Sequence, residues 1–322
     1  MAKITDSPSK SIQDELDALS KDLNEKVSKK SKNNVLIATW NIRKFGDLTE
    51  EWVWKPNMKP KRDLHALRCI VEIIKRFDII AVQEVIGNLK CLRETMRYLG
   101  DDWSFLMTDI TKGKAGNKER LAFIFNNKKV KLSGLACEIV IPDEELNKGV
   151  IKSDALSRQF ARTPYAVSFK VGSKTFVLLT LHVIFGEIEA RVPELKAIAE
   201  WVKEWAVELK GWGHSLIVMG DFNIERKDDK LFKAFTSTGL SAPPELNEAA
   251  RSIFNKLAFY DQIAWFQETK KNNTTIDTIN LKYKAGGNYD FTAKSMTSLK
   301  LPLKELSYRI SDHFPLWIEF EL

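Results

Sequence analysis

The sequence predicts an α/β fold in which two mixed β-sheets pack face to face and helices cover their outer surfaces. Three observations carry that expectation. Short runs dense in Val, Ile, Leu and Phe recur at strand length, as in strands buried on both faces. Amphipathic helical segments alternate with them, the pattern of a layered α/β sandwich. No Pro/Gly-rich linker divides residues 33–322, and no repeat of fixed period is present. At 322 residues, 44% hydrophobic and 29% charged, the chain has an ordinary globular composition and enough length for one large domain.

Residues 1–32 read as a helical N-terminal extension. Ile12, Leu16, Leu19, Leu23 and Val27 form one apolar stripe on a charged helix, closed by the polar stretch KKSKNN. The stripe fits a helix docked on the body or on a partner. It spans only about two heptads, which makes a coiled coil the weaker choice.

From Val35 the pattern changes. VLIATWNI reads as a strand, Lys61 to Arg76 as a helix through Leu64, Leu67, Ile70, Val71 and Ile74, and Asp78 to Val85 as a second strand. Gly87 to Leu99 reads as a helix and Trp103 to Ile110 as a strand. RLAFIFN opens further β material up to Ile141, and Pro142 to Gln159 is a polar loop. FARTPYAVSFKVG and KTFVLLTLHV read as successive strands, Ala190 to Leu209 as an amphipathic helix, and SLIVMGDFN as a strand. A short helix near Lys230, the strand FYDQIAWF and a last strand in SYRISDHFPLWIEFEL complete a set of roughly ten to twelve strands.

Net charge is +7, which favours polyanionic partners such as nucleic acid. The first twenty residues hold no apolar core of a secretory signal, and no stretch approaches the roughly 18 apolar residues of a membrane span. Cys69, Cys91 and Cys137 lack CxxC spacing and read as reduced thiols, so the expected compartment is cytoplasmic.

Several apolar strands end in polar residues that their buried flanks do not need: Asn41, Glu84, His182, Asp221 and Asn223 follow such runs, and Asp312 and His313 precede one. Asp221 and Asn223 stand two apart; on extended backbone they share a side and face one point beyond the sheet. A carboxylate and a carboxamide placed so can orient a water or a phosphoryl oxygen. GDFN alone is equally the composition of a plain turn. Hard cations such as Mg²⁺ need only one or two carboxylates beside a phosphate oxygen, whereas the His/Cys spacing of zinc sites is absent. No GxSxG elbow, Walker loop or GxGxxG is present. A water, a base, a cation and donors for developing charge are the parts of metal-assisted phosphoester hydrolysis.

WNIRKFG, AVQEV, NKERLAFIF, FARTPYAV, TLHV, MGDFN, YDQIAW and ISDHFPL occur in the order used by the endonuclease/exonuclease/phosphatase superfamily, and within it the chain most resembles the pancreatic-type deoxyribonucleases. The resemblance runs from about Val35 to the C-terminus. It implies a four-layered sandwich with the active site at one end of both sheets. It also implies roles by motif. Glu84 holds the divalent metal with Asn41 beside it, and Asp312 completes the acidic cluster. His182 is a general acid or base oriented by Glu119, and His313 is its counterpart, paired with Asp261. Asp221 and Asn223 position the attacking water and the phosphate, while Arg43 and Arg162 contact phosphates. The implied ion is Mg²⁺, with Mn²⁺ or Ca²⁺ as substitutes.

The chain departs from those enzymes where they insert Arg and Tyr side chains into the DNA minor groove: here Ile86 and Asn117 stand instead. An extra loop, Asp47 to Arg62, carries Trp52, Trp54, Lys55, Lys59 and Lys61. Its tryptophans and lysines suit either stacking on nucleic-acid bases or packing the loop down. The expected activity is Mg²⁺-dependent hydrolysis of nucleic-acid phosphodiesters, with DNA as the expected polymer, RNA open and endonucleolytic cleavage as the expected mode. The alternatives are a phosphatase or phosphodiesterase for a small phosphorylated molecule or lipid headgroup, and an inert nucleic-acid-binding module. The last has no use for the full set of acids and histidines.

Overall fold

Alternation along one strand sets up the layers. In β1 (Asn34–Phe45), Val35 and Ile37 point into one apolar core and Leu36, Ala38, Trp40 and Ile42 into another, as the two-residue period of a strand requires. A computed structural model describes residues 6–111, 117–139, 162–211, 214–266, 268–271, 274–277 and 279–322.

One sheet has six strands. β1 pairs in parallel with β2 (Ile79–Ile86) and antiparallel with β13 (Leu316–Glu321), which β12 (Lys282–Asn288) flanks. On the other side of β2 lie β4 (Glu119–Asn126) and β3 (Trp103–Met107), both in antiparallel pairings. The second sheet has five strands: β5 (Lys131–Glu138), β6 (Tyr165–Val171), β7 (Lys174–His182), β8 (Ser215–Asp221) and β9 (Asp261–Ala264). Its β7–β8 pair is parallel and the other pairs are antiparallel. A separate hairpin joins β10 (Glu268–Lys271) to β11 (Thr274–Asp277).

Three apolar cores separate four layers. Between the sheets, Val35, Ile37, Phe123 and Ile318 meet Phe169, Phe176, Leu178 and Ile217. Outside the first sheet lie α1 (Lys10–Lys26), α2 (Leu64–Lys75), α3 (Lys90–Leu99) and α7 (Leu303–Arg309), which pack on Leu36, Trp40 and Ile80. Outside the second, α4 (Ile188–Gly211) and α5 (Lys230–Phe235) cover Leu179, Leu216 and Val218. A short helix, α6 (Pro244–Glu248), precedes β9. The intersheet core holds one polar thread. Gln83 donates to Thr180 Oγ1 at 2.9 Å and to Thr39 Oγ1 at 3.1 Å, and all three residues are fully buried.

Most elements fall where the apolar pattern places them, with shifted ends. The first helix after β1 begins at Leu64 rather than Lys61, because the Asp63 side chain caps it by accepting from Ala66 N at 2.9 Å. The strand beginning at Trp103 stops at Met107. The hairpin β10–β11 was not anticipated, since its polar residues carry no alternating apolar signal. The expected polar loop from Pro142 to Gln159 lies outside the described residues.

The N-terminal helix docks on the body. Ser9 caps α1, and Ile12, Leu16, Leu19, Leu23 and Val27 are buried in the core shared with α2. Buried polar contacts fix its position: Tyr289 Oη donates to Asp22 at 2.9 Å, and Glu15 lies 3.3 Å from His65 Nε2. Leu19 is fully buried. Leu19→Ala is expected to cost about 2–5 kcal/mol, the range for a core truncation that leaves a cavity. Urea denaturation measures it; a cost below about 1 kcal/mol would show that the helix contributes little to this core.

Candidate active site

Strand direction gathers the polar residues at one edge. The parallel pairs β1/β2 and β7/β8 all finish there, bringing Asn41, Glu84, His182 and Asp221 to their ends. β4, β9 and β13 run against their neighbours, so their beginnings lie at the same edge. That places Glu119, Asp261 and the Asp312–His313 segment beside the first four. Asn41 Nδ2 then bridges the sheets, donating to Asp221 Oδ2 at 2.9 Å.

Local irregularities aim the side chains. The ladder of β2 with β4 slips between Val82 and Val85, and that of β1 with β2 slips between Asn41 and Phe45. Such bulges bend a strand and redirect one residue. Glu84 sits at φ +60° and Lys44 at φ +45°. Glu84 consequently turns toward the edge, where its carboxylate accepts from Asn41 Nδ2 at 3.2 Å and from Lys44 N at 2.9 Å. Gly220, at φ +137°, lets β8 pass close to β7: a Cβ there would lie 2.0 Å from the carbonyl oxygen of Leu181. The pairing of His182 with Asp221 depends on that approach.

Asn223 departs from the expected extended alignment with Asp221. It lies beyond β8 at φ +50°, a left-handed conformation that Asn tolerates. Its N–H donates to Asp221 Oδ1 at 2.9 Å and its Nδ2 to the Val183 carbonyl at 2.7 Å. A local turn, rather than strand periodicity, joins the pair.

Two imidazoles flank Asp221, each backed by a buried carboxylate. His182 Nδ1 lies 2.8 Å from Glu119 Oε2, and its Nε2 lies 3.5 Å from Asp221 Oδ2. His313 Nδ1 is hydrogen-bonded to Asp261 Oδ2 at 2.7 Å, and its Nε2 lies 3.9 Å from the same Asp221 oxygen. Tyr260 stacks on the His313 ring at 5.5 Å between centroids. Burial disfavours the His313 imidazolium, but the carboxylates of Asp261, Asp221 and Asp312 overcome this and raise its pKa to about 10. Burial likewise opposes ionisation of Asp221, yet His313, His182 and the Asn41 and Asn223 hydrogen bonds hold its pKa below the usual range. Asp261 is pushed up to about 6 by burial, with His313 opposing. Glu119 stays low because His182, Arg162 and Asn117 outweigh its burial.

The other expected site residues divide. Arg43 Nη1 lies 3.2 Å from Asp312 Oδ2, and its guanidinium stacks 4.2 Å over Tyr308. Asp312, expected in the acidic cluster, pairs with Arg43 at the edge, one residue before His313. Arg162, expected as a phosphate ligand, contacts Glu119 at 2.7 Å and 3.1 Å, the cation that a buried carboxylate requires. Trp54 packs the loop, with Nε1 donating to the Met58 carbonyl at 2.8 Å and Arg309 stacked at 5.1 Å. Trp52 packs against the α2 side of the core, and Lys55 is exposed. Both tryptophans thus pack within the loop and core, Trp54 with its indole N–H paired and Trp52 with its own buried without a hydrogen-bond partner. Ile86 is half-buried at the end of β2, and Asn117 donates to Glu119 at 2.7 Å.

Some contributors carry no sequence signal of their own. Ser311 Oγ donates to the Asn41 carbonyl at 2.6 Å and accepts from His313 N at 3.0 Å. Trp40 Nε1 donates to the His313 carbonyl at 2.8 Å. Buried Arg191 donates to the Asn223 carbonyl at 2.6 Å. Ser311 and Trp40 lie within quoted motifs and Arg191 outside them, and the role of each is set by a partner remote in sequence.

Two oxygen sets could receive a cation. Asn41 Oδ1 is buried without a hydrogen-bond partner beside the Glu84 carboxylate, and an orphaned amide oxygen next to an acid suits a hard divalent ion. Asp221, Asp261 and His313 also bring ligand atoms within 4.8 Å of one another. His313, held as an imidazolium, would have to lose its proton to join that set.

The profile of the Endonuclease/Exonuclease/phosphatase family matches residues 38–313. The chain belongs to this family. Its members are hydrolases acting on phosphodiester bonds and are generally metal-dependent. Among curated relatives of this family member, deoxyribonuclease gamma of Homo sapiens is 25% identical over 315 residues, covering 89% of this chain and 85% of the relative. Deoxyribonuclease-1-like 1 of Sus scrofa is 22% identical over 267 residues, covering 79% and 74%. Among solved structures, the catalytic domain of human Nocturnin with bound sulfate superposes with a TM-score of 0.57 at 15% identity, covering 91% of this chain and 96% of that one. This last likeness is one of fold.

Two outcomes follow from the geometry. Gly220→Ala is expected to destabilise the fold by at least about 1–3 kcal/mol, since it combines a disfavoured φ with a backbone clash; unchanged denaturation would refute the close approach. His313 has its folded pKa raised from 6.5 to about 10. Its stabilisation is thus complete below about pH 6.5 and lost as pH rises through about 10. Stability measured across that window should decline less steeply in Asp261→Asn than in wild type, and an identical slope would exclude the pairing.

Proposed function

We propose that the chain is a divalent-metal-dependent nuclease that hydrolyses nucleic-acid phosphodiesters, with DNA as substrate and internal cleavage as its mode. The observation that carries this reading is the convergence of two carboxylate-backed imidazoles on Asp221 at the rim where Asn41 and Glu84 also meet. The deoxyribonuclease relatives and the net charge of +7 support a polymeric, anionic substrate over a small one.

Asp221 is the group that aligns the attacking water and accepts its proton, and the Asn223 backbone N–H and Asn41 hold its two oxygens in place. The His313 imidazolium donates to a phosphoryl oxygen, where negative charge grows as the water oxygen bonds to phosphorus. His182, oriented by Glu119, is placed to protonate the leaving oxygen as its bond to phosphorus breaks. Glu84 and Asn41 Oδ1 are the groups that would hold Mg²⁺, or Mn²⁺ or Ca²⁺ in its place. A bound divalent ion there supplies charge neutralisation at the scissile phosphate. Arg43 flanks this centre as the phosphate-contacting cation, and Arg162 serves by holding Glu119. Residues 33–322 would form the catalytic domain, with helix α1 of the N-terminal extension docked on it. A cytoplasmic setting accords with three free cysteines, two of them buried; among the described residues no helix is long and apolar enough to cross a membrane.

Supercoiled plasmid, single-stranded DNA and a small phosphomonoester, each with Mg²⁺, test this reading. Wild type should nick the plasmid, chelator should abolish the activity, and Asp221→Asn or His313→Gln should lower the rate at least about 100-fold, the scale of general acid–base catalysis. Hydrolysis of the monoester with both DNAs intact would overturn the nuclease assignment, and absence of any hydrolysis would favour a binding module.

A further inference from the structure

Arg62 is 2% exposed, and its guanidinium lies over the Phe45 ring at 5.6 Å. Its hydrogen bonds run to carbonyls of two chain segments that are remote in sequence. Nη2 donates to Arg43 at 2.6 Å and Nη1 to Lys44 at 2.8 Å, both near the end of β1. Nε donates to Arg309 at 2.8 Å and Nη2 also to Ile310 at 3.0 Å, both at the end of α7. The first segment begins just after Asn41 and includes Arg43. The second runs directly into Ser311, Asp312 and His313.

In the sequence Arg62 closes the Trp- and Lys-bearing loop from Asp47, whose composition suits contact with nucleic acid. Instead the side chain turns inward, and the loop is fastened around it. Thr49 N donates to the Arg62 carbonyl at 2.9 Å, and the next residue, Asp63, caps α2 and lies 2.8 Å from Arg309 Nη1. Lys44, one of the carbonyl partners, adopts the φ of +45° that turns its N–H toward Glu84.

We propose that Arg62 is a positioning residue: its planar fork fixes the spacing between the strand end bearing Asn41, Arg43 and Glu84's partner Lys44, and the segment bearing Asp312 and His313. This deepens the phosphodiesterase reading and rests on it for its catalytic consequence. This site pairs the guanidinium charge with four backbone carbonyl dipoles at once. Lys cannot reproduce this, because its three donors radiate from one nitrogen and cannot span two segments in one plane. The position therefore discriminates geometry rather than charge, and Arg62→Lys isolates the difference.

The test uses the full chain carrying Arg62→Lys, with Arg62→Gln as a second variant and Leu19→Ala as a destabilised control whose lesion lies in the α1 core. Two readouts are taken on each: kcat and KM for DNA cleavage with Mg²⁺, and the downfield Nδ1 proton resonance of His313, which reports its bond to Asp261 without substrate. In Arg62→Lys the expected result is a fall in kcat of about tenfold or more with KM changed less than about threefold, a split expected when reacting groups lose alignment. The His313 resonance should shift or broaden there and stay in place in Leu19→Ala. Wild-type kcat and an unmoved resonance in a folded Arg62→Lys would overturn the proposal. So would loss of folding in both Arg62 variants, which would make the residue a general support of the fold. If wild type cleaves no DNA, the nuclease reading fails by itself, and the His313 resonance still decides the positional claim.

Discussion

The arrangement of this site depends on one buried oxygen. Asp221 Oδ2 accepts from Asn41 across the two sheets and lies within 4 Å of Nε2 of both His182 and His313. Removing a carboxylate from water is costly unless donors and cations surround it. Here the surrounding groups come from both sheets, so the ionised form of Asp221 is available only when the sheets are docked. The same requirement propagates outward: each histidine needs its own carboxylate, and Glu119 in turn needs Arg162. What looks like a collection of catalytic side chains is also a charge-compensated end to a four-layered core.

This has a consequence for how substitutions should behave. Removing one member leaves its neighbours buried and unpaired, so effects on rate and on stability will be entangled, and sums of single substitutions will misstate the whole. Isosteric changes that preserve shape, such as Asp to Asn, separate the two better than truncation. The strained positions follow the same logic: Glu84 at φ +60° is tolerated because the bulge around it and its hydrogen bonds over-determine its place.

Much of the fold was legible because both sheets are buried on two faces and therefore spell continuous apolar runs. The site was legible where a polar residue interrupts such a run: Asn41, Glu84, His182 and Asp221 stand out against their strands, whereas Asp261 and Glu119 entered only through the family resemblance. Direction was less accessible. Asn223 meets Asp221 through a turn that the period of two does not describe, and the pairing of Asp312 with Arg43 joins residues far apart in sequence. Nothing in the neighbourhood of Arg162 reveals the buried Glu119 it neutralises. The Trp54 loop was legible only as an alternative: aromatic and basic residues mixed on a surface loop signal either recognition or self-packing, and the contacts of Trp54 with Met58, Arg309 and Lys61 come from partners that its spacing does not name. Ser311, Arg191 and Arg62 act on backbone carbonyls far away in sequence, and such partners leave no trace in a local pattern.

The polar thread through the intersheet core has a further meaning. Two greasy surfaces can slide over one another with little change in buried area, and nothing in Val, Ile and Phe alone selects one offset among several. Gln83, reaching from β2 to Thr180 on β7, turns that sliding coordinate into a keyed one: an offset of a few ångströms would strand an amide and a hydroxyl in an apolar interior. It stands one residue before Glu84, and Thr180 stands two before His182. The key is thus cut directly beneath the functional edge, where an error in alignment would matter most.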